Sequence, residues 1–564
     1  MTRDRAFLAP LSAAAAAILV FPSILDNGFV NWDDLGNIVR NAWLGRFDAA
    51  AWKWMWTTTH YGHFQPLAWL SLSLDRALWG LNPMGFHLTA LILHAAAAAA
   101  LAATLRALLR APGLAVVGAD EGWRAAAAAA AAVLWAVHPL RVEAVAWATE
   151  RRELLAALFS LLAARSYLLA VERDPARPAL GRAGAWFAAA CLSKVTASTL
   201  PFILMTLDLW ILRRGWRVKE KAGFFLLSAA VLGLGVRAQS IAGASVPFEA
   251  FGATDRAAHV LFGPGYYALK TLWPSRLSAF VYVDWLMEPA RYWPPALITL
   301  FILGLFVLAA RRRAGARGLG AALFILLAPS LGFFKSGGQI AADRFAHAPS
   351  FAVAAAVAWA LACAPRRARA PALGAVCLLA LALGAAARAQ CLVWRDSVSL
   401  WTHAVASCPP TTVILENLAS ALRLAGREAE ASAVYEKLLV EDPPAPSSLS
   451  ISGDERYQAG DYAAAASLYA RALSLNPELP GVRMSLGLAF VRLGRRAEAE
   501  RAFADSVRQD PHNPEGWHNL GILMAGDGRF DKAEAALKKA LRLEPGRANT
   551  REALRKLQIA RRRK

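Results

Sequence analysis

Long apolar runs, broken by short arginine-rich stretches, make up the first 390 residues of this 564-residue chain. A helix needs roughly 20 apolar residues to cross the hydrocarbon core of a bilayer, and many of these runs approach that length. After about Gln390 the pattern becomes charged and amphipathic, with no run long enough to cross. We therefore predict an all-α chain, with a multi-span membrane domain over 1–390, a linker over 391–410 and a soluble domain over 411–564.

The soluble part repeats with a period of 34 residues. The residues that keep this period are Pro409, Pro443, Pro477, Pro511 and Pro545, together with Gly426, Gly460, Gly494 and Gly528. This is the tetratricopeptide (TPR) pattern, in which a proline ends the second of two helices. We expect about four repeats in an α-solenoid whose concave surface binds a polypeptide. A structural cap, or a contact between copies of the chain, is the alternative.

The net charge of +21 raises the question of a nucleic-acid partner. Most basic residues, however, lie in the short connections between apolar runs, where they set membrane orientation, so we expect membrane lipids as partners and no nucleic acid. Arg3 and Arg5 predict a cytoplasmic N-terminus, about 11 spans, and an external position for 26–65 and for the C-terminal half. Residues 259–272 either lie along the membrane or re-enter it. The high alanine and arginine content favours a bacterial inner membrane, which makes the external side the periplasm.

Asp33 and Asp34 follow directly on the first long apolar run. Two adjacent carboxylates at the mouth of a membrane helix are costly and are usually functional. Because such groups need not share one pKa when they pack against an apolar wall, one of them can serve as a base. The alternative for one of the pair is to cap a helix that begins near Leu35.

Further motifs follow in a fixed order along the membrane half. They are FVNWDD at 29–34, FQPL at 64–67, WGLNP at 79–83, HPLRVEAVAW at 138–147, ERRE at 150–153, LSK at 192–194, GGQ at 337–339, DRF at 343–345 and WRDS at 394–397. This series resembles bacterial relatives of the TMTC family, the transmembrane and tetratricopeptide repeat-containing protein O-mannosyltransferases. That family is similar in fold to the GT-C glycosyltransferases, which carry a catalytic acid in the first external loop and use a polyprenyl-phosphate sugar donor.

The resemblance implies an integral-membrane glycosyltransferase. We expect it to move a sugar, mannose by analogy, from a polyprenyl-phosphate donor to Ser or Thr hydroxyls of exported proteins, while the TPR domain holds the acceptor or a partner. One alternative is the same enzyme class acting on a cell-surface glycan or lipid. The other is a non-enzymatic, membrane-anchored TPR scaffold, which does not explain the adjacent carboxylates.

The expected catalytic groups are Asp33 and Asp34, with Asp33 favoured as the base by family analogy. For the donor phosphate we expect Arg344 and Lys335, with Arg141 in reserve, because arginine grips a phosphate through two hydrogen bonds. The alternative for Arg344 is an interfacial residue that extends to the lipid headgroups.

The substrate loops are expected to contribute His60, His63, Gln65, His138 and Glu143. Gln65 departs from the family, which usually has arginine there. His138 and Glu143 either line an acceptor groove or brace their loop. The two loop histidines, together with the aspartates, make a divalent metal possible, but we do not favour one, and no other cofactor is expected.

Lys194 and Asp208 fall inside apolar runs. Ionisable groups in such positions need a partner or have a function. These two either pair with each other or with backbone groups, or take a catalytic role.

Overall fold

The computed structural model describes residues 8–114, 116, 118–176, 178–241, 252–283, 288–332, 339–409, 411–440, 446–458 and 460–562. Over these residues the chain is helical, and its one β contact is an antiparallel bridge between Val281 and Ala341. The chain divides into two compact units, residues 1–410 and residues 411–564. The predicted all-α fold is confirmed.

The first unit contains sixteen α-helices in the residues that the structure describes. They are α1 (Leu8–Val20), α2 (Ala49–Thr57), α3 (Pro66–Trp79), α4 (Pro83–Leu108), α5 (Glu121–Ala136), α6 (Val142–Ala146), α7 (Arg151–Arg173), α8 (Gly181–Ser193), α9 (Leu200–Thr206), α10 (Ala222–Ile241), α11 (Ala253–Leu272), α12 (Pro289–Arg312), α13 (Ala314–Leu327), α14 (Pro349–Ala362), α15 (Arg366–Val393) and α16 (Ser397–Ser407).

Within the described ranges, five helical stretches are long and apolar enough to cross a membrane. They are Pro83–Leu108, Ala148–Arg173, Val218–Ile241, Pro289–Arg312 and Arg366–Val393. A bent pair, Glu121–Ala136 with Pro139–Ala146, makes a sixth if it counts as one span, and four apolar helices are shorter. The membrane character of the first unit is therefore supported, while the number of 11 spans stays a prediction.

Alanine-rich surfaces pack the centre of the first unit. The buried residues there come mainly from α4, α5 and α7, and include Ala97, Ala98, Ala127, Ala128 and Ala163. Small side chains let helix backbones approach closely. In a bilayer the hydrophobic effect does not drive helices together, so they associate through such close packing. The polar segments that carry the predicted motifs are left to gather at the helix ends.

The sharp bend between α5 and α6 brings one motif back onto the unit. The two helices meet at 63° around Pro139, which begins a short turn. Proline lacks an N–H, so it starts a new helix more easily than it continues an old one. His138 stabilises the turn because its Nδ1 accepts a hydrogen bond from the Leu140 N–H at 3.2 Å. The bend carries the chain directly into the charged residues 143–153.

The second unit consists of antiparallel helix pairs, as the 34-residue period predicts. Its helices are α17 (Thr412–Leu424), α18 (Glu428–Val440), α19 (Pro446–Gln458), α20 (Tyr462–Leu475), α21 (Val482–Arg492), α22 (Arg496–Gln509), α23 (Pro514–Gly526), α24 (Phe530–Leu543) and α25 (Ala548–Arg562). Tyr469, Phe503 and Leu537, which keep the period, are buried between the helices of their repeats.

Gly487 lies at a close crossing between two helices of the second unit. A Cβ at this position would lie 2.5 Å from Cε1 of Phe503. Gly487→Val should therefore overpack the repeat and lower the stability of the second unit by about 1–3 kcal/mol. Thermal unfolding of the full chain, followed by limited proteolysis of residues 411–564, measures the change. Gly546→Ala is the control because nothing lies within 4 Å of its Cβ; equal melting of the two variants would contradict the packing account.

Candidate functional site

Asp34 is a fixed, buried carboxylate. It is 1% exposed, and it accepts hydrogen bonds from the Val30 N–H at 3.1 Å and from the N–H and hydroxyl of Thr149 at 2.9 and 2.6 Å. A helical turn does begin at Leu35, but Asp34 makes no capping bond to it, so the capping alternative is wrong for this residue. Burial raises the pKa of Asp34 to about 6, against the opposing effect of the Thr149 hydrogen bond.

Asp33 is only partly buried, and its carboxylate lies among cations. Burial raises the pKa of Asp33, while the positive charges of Arg152 and Arg344 act to lower it. A partly accessible carboxylate with a raised pKa accepts a proton more readily than an ordinary aspartate does. The structure therefore gives the two adjacent aspartates different environments: Asp33 is partly accessible, and Asp34 is fully buried and hydrogen-bonded.

The helix that follows the last long apolar run holds the acidic loop in place. In α16, the Trp401 indole N–H donates to the Asn31 side-chain oxygen at 2.6 Å, and the Ser397 hydroxyl accepts from the Asn31 N–H at 2.9 Å. Trp32 packs edge-on against the Trp401 ring, with centroids 5.2 Å apart. The position of Asp33 therefore depends on a segment more than 350 residues away in sequence.

Glu150 lies at the centre of a buried ionic cluster. Its carboxylate meets Arg152 at 2.5 Å, Lys194 at 3.2 Å and Arg344 at 3.6 Å. Glu153 adds a second contact to Lys194 at 2.5 Å. Buried charges persist only when they are paired and hydrogen-bonded, and here one carboxylate orders three cations.

Glu143 and Arg344, both predicted site residues, form an ion pair with each other. Arg344 donates from its side chain to Oε1 of Glu143 and from its backbone N–H to Oε2, the latter at 2.7 Å. Both side chains are buried, and the Arg344 guanidinium also lies over the ring of Trp147 at 5.2 Å. Arg344 therefore does not extend toward lipid headgroups, which was the alternative for this residue.

An apolar cavity opens from this cluster between α4, α7, α13 and α14. Glu153, Lys194 and Arg344 line its charged end, and the remaining lining is mainly alanine, leucine and phenylalanine. The cavity and the open space at its mouth together comprise about 1310 Å³. It follows α7 from Glu153 to Leu168, which is about 22 Å at the 1.5 Å rise of a helix. The cavity is therefore long and mainly apolar, with charged side chains at one end.

The loop before α3 brings two more predicted residues to the cluster. Gln65 is buried, and its side-chain oxygen accepts from Arg152 at 3.4 Å. Burial lowers the pKa of His63 well below its usual value, and the nearby charge of Arg152 lowers it further. His63 is therefore neutral at physiological pH. His60 instead packs among aromatic rings. Its ring centroid is 6.0 Å from that of Trp54 and 5.7 Å from that of Trp69.

His138 and Arg141 brace the neighbouring loops. His138 Nε2 contacts the Thr271 carbonyl at 2.9 Å, and Arg141 donates to the His347 carbonyl at 3.1 Å and to the Ser350 hydroxyl at 2.9 Å. Arg141 thus holds the turn that presents Arg344, and its direct role at a phosphate stays a prediction. Lys335 lies outside the described residues. In the part of the chain that is described, no three His, Cys, Asp or Glu side chains converge as a metal site.

Sequence reasoning missed four members of the cluster as site residues: Glu150, Arg152, Glu153 and Lys194. The sequence does contain a signal for the first three. Residues 150–153 are four consecutive charged residues at the start of an apolar run, a position where charges are usually functional. The predicted pairing of Lys194 with Asp208 or with backbone groups was wrong, since Lys194 pairs with Glu150 and Glu153. Asp208 pairs elsewhere, with Lys221 and with Arg214 at 3.1 Å.

Comparison with known proteins supports both halves of the sequence prediction. Two family models described as tetratricopeptide repeat match residues 456–523 and 514–547. Protein O-mannosyl-transferase TMTC1 of Homo sapiens is 35% identical over 175 residues, which cover 28% of this chain and 18% of that protein. Protein O-mannosyl-transferase Tmtc2 of Drosophila melanogaster is 32% identical over 212 residues, which cover 35% of this chain and 21% of that protein.

Among solved structures, MamA 41-end from Desulfovibrio magneticus RS-1 matches with a TM-score of 0.25 at 19% identity and covers 26% of this chain and 84% of that chain. The chain spans about a fifth of the length of the curated relatives that it matches. The predicted relationship to the TMTC proteins and the predicted repeats are confirmed.

Proposed function

We propose that this relative of the TMTC protein O-mannosyl-transferases is an integral-membrane glycosyltransferase. It moves a sugar, with mannose expected from its relatives, from a polyprenyl-phosphate carrier to Ser or Thr hydroxyls of exported proteins. The observation that carries the proposal is a partly accessible carboxylate, Asp33, which lies near the charges of Arg152 and Arg344. Arg344 also lines the charged end of a long apolar cavity, together with Lys194 and Glu153. These are the parts that lipid-phosphate sugar transfer needs.

The donor occupies the apolar cavity. Its polyprenyl tail lies along α7, and its phosphate lies at the charged end, where Lys194 and Arg344 line the wall. Two cations there balance the charge that develops on the phosphate as the sugar leaves. Glu150 contacts both of them, and so keeps each side chain directed to this end of the cavity.

In the transfer step, the acceptor hydroxyl gives its proton to the Asp33 carboxylate. The oxygen forms a bond to the sugar C1, the bond from C1 to the phosphate oxygen breaks, and its electron pair stays on the departing polyprenyl phosphate. A phosphate is already a fair leaving group, so the step needs cations near it and no strong acid. Asp34 does not react; it anchors the loop to Thr149 and thereby positions its neighbour.

The arginine distribution supports an inner-membrane protein with a cytoplasmic N-terminus and a periplasmic active-site loop. The same predicted arrangement of membrane spans puts the TPR domain in the periplasm, where it recruits the acceptor polypeptide or a partner protein. Because TPR surfaces commonly hold extended peptides, a protein acceptor is favoured over a glycan or lipid acceptor.

Mass spectrometry of exported proteins, with and without the gene for this chain, tests the proposal. We expect hexose to disappear from particular Ser or Thr sites when the chain is absent. An unchanged glycoproteome combined with an altered surface glycan would favour the glycan acceptor. If neither changes, the scaffold alternative gains.

Arg152→Gln tests the assignment of Asp33 through the pH dependence of transfer. Arg152 lowers the pKa of Asp33, so removing its charge should raise that pKa. A base works only when it is unprotonated, and the acid limb of the activity profile should therefore move to higher pH, with activity lost mainly at low pH. Arg46→Gln is the control, because Arg46 is exposed and pairs with Asp48. An acid limb that stays in place in a folded Arg152→Gln protein would contradict the assignment.

A further inference from the structure

Tyr61 adopts a backbone conformation that residues with side chains rarely take. Its φ and ψ are 51° and 29°, in the left-handed region. Hydrogen bonds on both sides hold this conformation: the His60 N–H donates to the Thr58 hydroxyl at 3.1 Å, and the Gly62 N–H donates to the Thr59 carbonyl at 2.8 Å. Such a conformation persists only where the surroundings impose it, and it is found often at functional sites.

This backbone directs the tyrosine ring toward the turn that carries Asp33. A Cβ on Gly36 would collide with the Tyr61 hydroxyl and would lie 2.7 Å from its Cζ, so the ring covers this glycine closely. Asp33 and Gly36 lie on one face of a helical turn, because the Asn37 N–H donates to the Asp33 carbonyl at 2.9 Å. The tyrosine tip is therefore about one helical turn from the Asp33 position.

The ring also remains open to solvent. Tyr61 is 53% exposed, and its ring meets the His60 ring in a T-shaped contact, with centroids 4.6 Å apart. Burial raises the pKa of the Tyr61 hydroxyl, and the charge of Asp33 raises it further, so the hydroxyl keeps its proton and can donate. The molecule thus presents a flat apolar surface and one donor beside the carboxylate.

We propose that Tyr61 binds the acceptor polypeptide next to the Ser or Thr whose proton Asp33 takes. This inference rests on the proposed function. Tyr61 does not line the cavity assigned to the donor, and a ligand that reaches Asp33 from the exposed side is the acceptor. Tyrosine suits the role because it offers a large, rigid contact area at a small cost in side-chain entropy, together with a hydrogen bond for a peptide carbonyl.

Tyr61→Ala and Gly36→Ala in the full chain test the inference together. The assay is sugar transfer from polyprenyl-phosphate mannose to a Ser/Thr peptide, with donor hydrolysis by water measured in parallel. For Tyr61→Ala we expect the peptide KM to rise about tenfold, with kcat, the donor KM and the hydrolysis rate within about twofold. Gly36→Ala should also raise the peptide KM, because the alanine methyl group would displace the Tyr61 ring without removing it.

The double variant should be no worse than the worse single variant, since both changes remove one contact. Trp52→Ala and Trp56→Ala are the controls, because these exposed rings belong to the same external loop and do not cover Gly36. Their peptide KM should equal that of the wild type.

An unchanged peptide KM in Tyr61→Ala would overturn the inference. So would a raised donor KM or an equal loss of hydrolysis, which would make Tyr61 a sugar contact or a loop support. Failure of the proposed function looks different: the wild type itself would transfer no sugar to peptide, or Asp33→Asn would be as active as the wild type, whatever Tyr61 does.

Discussion

Asp33→Asn should lower the rate of sugar transfer by about 10²–10⁴-fold, the usual contribution of a positioned general base. The side chain keeps its size but loses its negative charge and its ability to take a proton. Because Asp33 does not line the cavity assigned to the donor, donor binding should be unchanged. Transfer to a peptide, and donor binding by the same purified protein, are the two measurements. Asp26→Asn is the matched control, because Asp26 is an exposed aspartate at the start of the same segment, 26–65.

Asp34→Asn should behave differently from its neighbour. An asparagine offers one acceptor oxygen where Asp34 now accepts three hydrogen bonds, so the loop should loosen and the melting temperature should fall. The loss of transfer should be smaller than in Asp33→Asn, because the base itself is retained. The reverse order, with Asp34→Asn inactive and Asp33→Asn active, would exchange the two roles and contradict the account.

Arg344→Met should have the second largest effect, and it should act on stability and turnover together. It leaves the Glu143 carboxylate buried without its cation, which costs about 3–5 kcal/mol of folding stability. It also removes a cation from the donor phosphate, and a preorganised group of this kind contributes about 10²–10³-fold to the rate. Thermal unfolding and peptide transfer by the purified variant report the two losses.

The double variant Glu143→Gln, Arg344→Met separates these losses. It has no unpaired buried charge, so most of the stability should return while transfer stays low. Glu143→Gln alone is the matched control for the lost carboxylate. Recovery of transfer in the double variant would mean that Arg344 serves only to neutralise Glu143, and the phosphate role would fall.

Features that depend on local sequence were predictable. The repeat period predicts that Phe503 packs between the helices of its repeat, and it is buried there because each repeat is built from neighbouring residues. Asp33 could be proposed as a site residue from its place after an apolar run. Arg344 and Glu143 were each predicted as site residues, but not as partners, since 201 residues separate them. Only the folded chain brings such groups together.

The same limit explains the contacts that sequence analysis did not predict. The bracing role of Arg141 depends on a carbonyl 206 residues away, and the acidic loop depends on Ser397 and Trp401. Lys194 was predicted to pair with Asp208 because both are ionisable residues in apolar runs. An ionisable residue in an apolar run needs a partner, but the sequence does not say which residue the partner is. The partner follows from helix packing, which places Glu150 and Glu153 beside Lys194.

The most direct test of the central claim is transfer by the purified full chain in lipid nanodiscs. The protein receives polyprenyl-phosphate mannose with a labelled sugar and a mixture of exported polypeptides, and mass spectrometry locates the label. We predict labelled hexose on Ser or Thr side chains with the wild type and none above background with Asp33→Asn. Label that stays on the lipid or appears only on glycan, or equal labelling by the two proteins, would contradict the account.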